Sequence, residues 1–167
     1  IIANGRKVEL SSIPVVHVED TRAALSLVSA NFFGNPSQNM IIVGITGTNG
    51  KTSICQMISH VLKSSGYPVG SLGTLGFSTP SGIVSTGFTT PESVELQQFL
   101  NTLKCGGINH AIMEISSHAL DMHRIDDVNL DYAIYTHLTR DHLDFHKSME
   151  NYFKSKLQLF KNLDSSK

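Results

Sequence analysis

Gly47-Thr48-Asn49-Gly50-Lys51-Thr52-Ser53 places two glycines, a lysine and adjacent hydroxyls in one short run. Glycines let the backbone turn tightly, so that its N–H groups converge on phosphate oxygens at the start of a following helix. Lys51 adds a mobile cation for the terminal phosphates, and the hydroxyl of Thr52 or Ser53 can ligate Mg²⁺. The commoner spacing asks for a glycine five positions before Gly50, where this chain has Ile45, so the loop is the shorter G-x-x-G-K-T form. Nucleotide binding is expected; the loop does not encode which nucleotide.

Other residues suit the same chemistry. Glu114, in Met113-Glu114-Ile115, closes an apolar run. A carboxylate there is costly to bury unless it meets a cation, which suggests a Mg²⁺ ligand opposite the phosphate loop; a solvated strand-end acid is the alternative. Residues 136–146, Thr-His-Leu-Thr-Arg-Asp-His-Leu-Asp-Phe-His, hold three histidines and two aspartates. His142 and His146 have the spacing of a zinc pair on one helix face. However, Leu143 stands where H-E-x-x-H needs its glutamate, so a single histidine beside a Mg²⁺–phosphate site suits the segment better, with a structural polar loop as the plain alternative. Lys156 falls inside the apolar stripe Met149, Tyr152, Phe153, Leu157 and Phe160. A desolvated lysine has a lowered pKa, and its neutral amine can take up CO₂ to become a carbamate able to bind metal. The alternative is a lysine snorkelling off the stripe's edge. Thr89, Thr90, Ser116, Ser117 and Arg124 lie near predicted element ends and suit an anionic substrate, although helix capping explains Thr90 equally well.

The elements that must position these groups alternate. Residues 41–45 read as a strand buried on both faces. A helix follows over 52–65, with Ile54, Met57, Ile58, Val61 and Leu62 as its stripe and Gly66 as a left-handed C-cap. Further strands are predicted over 69–72, 111–115 and 132–136. Thr90-Pro91-Glu92 reads as the start of a helix carrying Leu96, Phe99, Leu100 and Leu103 and ending at Gly106-Gly107. A last helix is predicted over 149–163. This alternation gives an α/β class with a parallel sheet covered on both faces. Residues 1–39 hold one helix over 21–31, capped by Asp20 and closed by Gly34-Asn35-Pro36-Ser37. Its Ala24, Leu27, Val28, Asn31 and Phe32 fall at helical spacing; so short a unit cannot bury that face and reads as the tail of another domain.

Composition narrows the partners. The chain has 167 residues, with 13 basic against 14 acidic side chains and a net charge of −1, so no overall field draws it to nucleic acid or anionic lipid. No apolar run is long enough for a membrane span. IIANGRKVEL lacks the pattern of a secretory signal. Cys55 and Cys105 make neither a disulfide framework nor a zinc ribbon, which suits a reducing cytoplasm. The chain opens without methionine and stops at Asp164-Ser165-Ser166-Lys167 straight after a helical pattern, so a piece of a longer protein is expected.

Taken together, ITGTNGKTS at 45–53, TTP at 89–91, MEISSHAL at 113–120, TRDHLDFH at 139–146 and YFKSK at 152–156 resemble the Mur ligases, the ATP-dependent amide-forming family of peptidoglycan synthesis. Within it the resemblance is to the MurE type, which acts on UDP-N-acetylmuramoyl-L-alanyl-D-glutamate. VEDTRAALSLVSANFFGNPS, at 18–37, is similar to the end of that family's N-terminal uridine-binding domain. The resemblance implies a P-loop-type sheet flanked by helices, incomplete here, with 1–39 as the remnant of the N-terminal domain, 40–167 as part of the central ATP-binding domain, and no C-terminal domain. It implies that Gly47, Thr48, Asn49, Gly50, Lys51, Thr52 and Ser53 hold ATP. Thr52 or Ser53 and Glu114 would bind Mg²⁺, His142 would brace a second metal, and Lys156 would be carbamylated. Thr89, Thr90, Ser116 and Arg124 match positions that hold the muramoyl-dipeptide. His137, Lys147, Met122 and Phe88 depart from the family's usual Asn, Gly, Gln and Asn. The implied reaction passes the γ-phosphoryl group to the D-glutamyl carboxylate, and the amine of meso-diaminopimelate or lysine displaces phosphate. A monomer, inactive as this piece alone, is expected. A folylpolyglutamate or cyanophycin synthetase, a non-catalytic P-loop module and a zinc hydrolase are the competing readings.

Overall fold

The structure, a computed structural model, describes residues 2–3, 12–85 and 87–163. Most of IIANGRKVEL and the closing Asp164-Ser165-Ser166-Lys167 lie outside them. A short parallel ladder joins β1 (Ile2–Ala3) to β2 (Val16–His17). The main sheet has six strands: β3 (Ile41–Thr46), β4 (Val69–Gly73), β5 (Gly76–Thr79), β6 (Gly82–Val84), β7 (His110–Glu114) and β8 (Tyr132–Tyr135). Their spatial order is β6-β5-β4-β7-β3-β8.

The four strands expected from apolar runs form the parallel part, with Ile45 opposite Glu114 on one side and Thr46 opposite Tyr135 on the other. This register brings the ends of β3, β7 and β8 to one edge, where ligands of open α/β sheets gather. The sheet is not wholly parallel, as expected, but mixed. β4 turns back through Thr74-Leu75 into β5, and β5 into β6, both antiparallel. So short a connection can join only antiparallel strands. Gly76, at φ +102°, takes the positive φ of that turn, and a Cβ there would collide with the Val84 carbonyl.

Two cores explain why β3 is apolar on both faces. Val43 and Ile45 pack with Cys55, Val69 and Ile112 beneath α2 (Lys51–Ser64). Ile42 joins Leu96, Phe99, Leu100 and Leu103 of α3 (Ser93–Cys105), together with Met113, Ile115 and Leu130 on the other face. Gly66 at φ +86° follows α2 as expected. α3 starts later than Thr90 suggested: its N-cap is Glu92, with no side-chain cap bond, and the Thr90 hydroxyl is used elsewhere.

Asp20 caps α1 (Thr21–Phe32) through the Arg22 and Ala23 N–H groups. The buried residues of α1 are Ser26, Ser29 and Ala30, whereas Leu27, Val28 and Phe32 are exposed. The Leu27–Val28–Phe32 face is thus left uncovered, as expected of a unit too short to bury it, and the helix packs instead through its small side chains. Two helices too short for periodicity, α4 (Ser117–Asp121) and α5 (Leu143–His146), lie after β7 and β8. The last helix, α6 (Met149–Leu157), tightens into 3₁₀ geometry over Gln158–Asn162 rather than running straight to 163. Cys55 and Cys105 are free thiols. Among the described residues no helix is long and apolar enough to cross a membrane.

Candidate functional site

The phosphate-loop segment spans the end of β3 and the start of α2. Gly47 has φ +140°, and a Cβ there would overlap the Thr136 hydroxyl and lie 3.1 Å from the His137 carbonyl oxygen. Gly50, at φ +85°, is the N-cap of α2 and supplies no side chain, so the first-turn N–H groups are left for a ligand. Two further bonds fix the loop: Thr48 N–H to His137 O at 2.9 Å, and Thr136 Oγ1 to Asn49 O at 2.7 Å. The Thr48 hydroxyl donates to Thr139 O and accepts from Thr139 N–H, with Tyr152 Oη 3.2 Å away. Lys51 folds back, its Nζ donating to Gly47 O and Thr48 O at 2.9 Å each. Burial holds its pKa below the ordinary lysine value, although Glu114 and Asp141 pull the other way.

Glu114 is 1% exposed at the end of β7 and is therefore not the solvated strand-end acid. It accepts from Thr52 Oγ1 at 2.9 Å, from Thr74 N–H at 3.1 Å and from Thr74 Oγ1 at 3.1 Å. All three partners are neutral. A buried carboxylate beside a hydroxyl, with no salt-bridge partner among the described residues, is a donor set that fits a hard cation. Of the two candidate hydroxyls, Thr52 faces Glu114, whereas Ser53 is exposed. Thr74 was not foreseen, although it lies only two residues beyond the predicted strand over 69–72.

Lys156 is also 1% exposed, so it does not snorkel. Its Nζ donates to Gly47 O at 2.9 Å and lies 4.5 Å from the centre of the Tyr152 ring. Burial, and then the Lys51 charge, push its pKa down to about 8. Tyr152, one helical turn earlier, is a further residue that sequence reasoning left as mere stripe.

A cleft of about 330 Å³ beside the loop is lined by Lys51, Thr89, Thr90, Ser116, Arg124 and His142, and also by Phe88, His118 and Met122. Six expected residues thus converge on one space. Not every hydroxyl in it is free. Thr90 Oγ1 donates to Glu114 O and accepts from Ser116 N–H, tying the end of β7 to the cleft wall. Ser116 Oγ caps α4 by accepting from Ala119 N–H, and Thr89 Oγ1 lies 3.2 Å from Thr74 Oγ1. His118 was missed; its ring meets that of His142 edge-on at 5.0 Å. Burial, and then His142, lower its pKa.

His142 and His146 do not form a facing pair. His142 is the exposed, positive-φ N-cap of α5. His146 is buried, with Nε2 2.8 Å from Ser117 Oγ and Nδ1 3.2 Å from Asp121 Oδ2. Among the described residues, no three His, Cys, Asp or Glu side chains are gathered to hold a metal. The zinc-pair geometry is therefore not formed.

The family model for the Mur ligase middle domain matches residues 45–167. A UDP-N-acetylmuramoyl-L-alanyl-D-glutamate–2,6-diaminopimelate ligase from Clostridium botulinum is 46% identical over 91% of this chain and 32% of its own length. The ligase of the same name from Caldanaerobacter subterraneus subsp. tengcongensis is 43% identical over 92% of this chain and 32% of its own. A solved structure bearing that enzyme's name superposes with a TM-score of 0.81 at 28% identity, covering 94% of this chain and 32% of that one. The chain spans about a third of the length of these relatives. With a middle-domain match over residues 45–167, and with its glycine loop, β7 carboxylate and buried α6 lysine gathered at the end of β3, the chain belongs to the Mur ligase family.

Proposed function

We propose that the whole protein is an ATP-dependent ligase that joins meso-diaminopimelate to UDP-N-acetylmuramoyl-L-alanyl-D-glutamate. The observation that carries this is the convergence of Lys51, Thr89, Thr90, Ser116, Arg124 and His142 on one cleft beside a phosphate-binding helix start. The names of relatives above 40% identity support diaminopimelate over lysine as the added residue. In this reading residues 1–39 end a uridine-binding domain, residues 40–167 begin the ATP-binding domain, and the enzyme works as a monomer.

The chain's own groups have distinct tasks. Backbone N–H groups of Gly47–Ser53, except that of Thr48, which stays on His137 O, receive the phosphates, and Lys51 leaves its loop carbonyls to pair with them. Thr52 and Glu114 would hold Mg²⁺, which when bound neutralises phosphate charge, and Lys156, as a carbamate, and His142 would serve a second metal. Arg124, Ser116 and the Thr89–Thr90 pair orient the muramoyl-dipeptide so that its D-glutamyl carboxylate meets the γ-phosphate. The carboxylate oxygen bonds the γ-phosphorus as ADP leaves, and the amine then bonds the carbonyl carbon of the acylphosphate, expelling inorganic phosphate and losing its proton to solvent. Little covalent chemistry falls to the protein; positioning and charge stabilisation carry the rate.

The test is ADP release by the full-length enzyme with UDP-muramoyl-dipeptide and meso-diaminopimelate, against lysine and against a folate substrate. Release should need both proper substrates and fall by at least about 100-fold in Lys51→Ala. Turnover with folate alone, or full turnover without Lys51, rejects the reading. Native mass spectrometry should find the added mass of CO₂ on Lys156, and residues 1–167 alone should release no ADP.

A further inference from the structure

Arg124 reaches the cleft from a segment that α1 holds at both ends. Ser26 Oγ accepts from Asp127 N–H at 3.2 Å, and Asp20 Oδ2 lies 3.9 Å from His123 Nε2. Between these ties, Glu92 bridges two arginines. Its Oε1 is 2.6 Å from Arg124 Nη2, and its Oε2 is 3.2 Å from Arg22 Nη1 of α1. Arg124 also donates from Nη1 to Thr90 O at 2.9 Å, and its side chain is only 15% exposed. Its Nε–H is buried without a hydrogen-bond partner among the described residues.

We propose that Glu92 is a positioning residue that aims the Arg124 guanidinium at the anionic part of the muramoyl-dipeptide, and that Arg22 anchors Glu92 from α1. This rests on the proposed function above for the identity of the substrate. An unrestrained arginine surrenders much rotamer freedom when it captures an anion. Here the Thr90 carbonyl and the Glu92 carboxylate take up that ordering before substrate arrives. The bridge places the substrate affinity of the cleft under the control of how α1 is seated, since Arg22, Asp20 and Ser26 all belong to α1 or its cap.

The experiment measures ADP release by full-length enzyme, titrating UDP-muramoyl-dipeptide and ATP separately. Glu92→Ala should raise the KM for the dipeptide about tenfold while the KM for ATP stays within about twofold, the signature of lost substrate positioning. Glu92→Gln keeps an acceptor oxygen for Arg124 and should stay within about threefold of wild type. Arg22→Ala, at an exposed site that does not threaten folding, should raise the dipeptide KM by about two- to threefold, as expected for a weak surface pair. An unchanged or lowered dipeptide KM in Glu92→Ala, or an equal rise for ATP, overturns the proposal; so does an Arg22→Ala enzyme identical to wild type. A wild-type enzyme that ignores the dipeptide removes the functional reading and this inference together, whereas a working wild type with unresponsive variants removes this inference alone.

Discussion

Thr52 Oγ1 donates to Glu114 Oε2 across 2.9 Å, joining the first turn of α2 to the end of β7. The bond puts a hydroxyl and a buried carboxylate on one spot at the foot of the phosphate loop. Gly73 makes room for it, because a Cβ there would overlap the Glu114 carboxylate. In full-length enzyme, Glu114→Gln should cut ADP release by about 100-fold or more through lost charge at the proposed cation site. Gly73→Ala leaves that charge intact but displaces it, so the half-saturating Mg²⁺ concentration should rise. A Mg²⁺ titration decides, and an unmoved requirement in both variants removes the cation role of Glu114.

Lys156 carries a pH signature. Its pKa falls from the ordinary 10.5 to about 8, mainly through burial. The unfolded chain keeps that proton up to about pH 10.5, so between the two values it binds more protons and stability rises with pH. Below pH 8 the full cost applies, about 3 kcal/mol for such a shift. Lys156→Met should therefore stabilise the fold in CO₂-free buffer at pH 7, less about 1 kcal/mol for the donor that Gly47 O loses. That gain should shrink near pH 10.5. Denaturant unfolding at the two pH values is the measurement, and a gain that does not depend on pH contradicts the burial argument.

The parallel heart of the sheet was legible because Ile42–Thr46 and Ala111–Glu114 are buried on both faces, which leaves nearly continuous apolar runs. The β5–β6 hairpin was not, since Gly76–Thr79 and Gly82–Val84 are short, partly exposed and poor in apolar alternation. The same split governs the site. Gly47, Gly50 and Lys51 announce themselves by local spacing. Thr74 and Glu92 gain their roles only from partners far along the chain, Glu114 in one case and Arg22 with Arg124 in the other. Thr90 left a helix cap and a substrate contact equally open for the same reason: the partners of its hydroxyl, Glu114 O and Ser116 N–H, lie 24 and 26 residues further along the chain. The α6 stripe left Lys156 open between burial and snorkelling, and its bond to Gly47 O was not readable at all.

His146 makes the fold sensitive to acid. Burial lowers its pKa below the ordinary 6.5, outweighing the pull of Asp121. As pH drops below 6.5 the unfolded chain takes up a proton that the folded chain resists, so stability present above that value is lost. His146→Gln keeps an amide near Ser117 Oγ and should flatten the decline between pH 7 and 5.5. A residual slope should remain, because His118 is shifted in the same direction. Urea midpoints across this range test it, and parallel wild-type and variant curves dismiss His146 as the source.

Gly70 of β4 faces Leu103 of α3 so closely that a Cβ on Gly70 would overlap both Leu103 methyl groups and lie 3.0 Å from its Cγ. Leu103 is fully buried. Leu103→Ala should cost about 2–5 kcal/mol by opening a cavity, and Gly70→Ala about 1–3 kcal/mol by overpacking. The two errors have opposite signs in volume. In the double variant the new methyl enters the space that Leu103 vacates, so the combined loss should fall short of the sum by about 1 kcal/mol or more. A double-mutant cycle by urea denaturation measures this coupling. Strict additivity would mean that α3 moves away from β4 as a unit instead of yielding at Leu103.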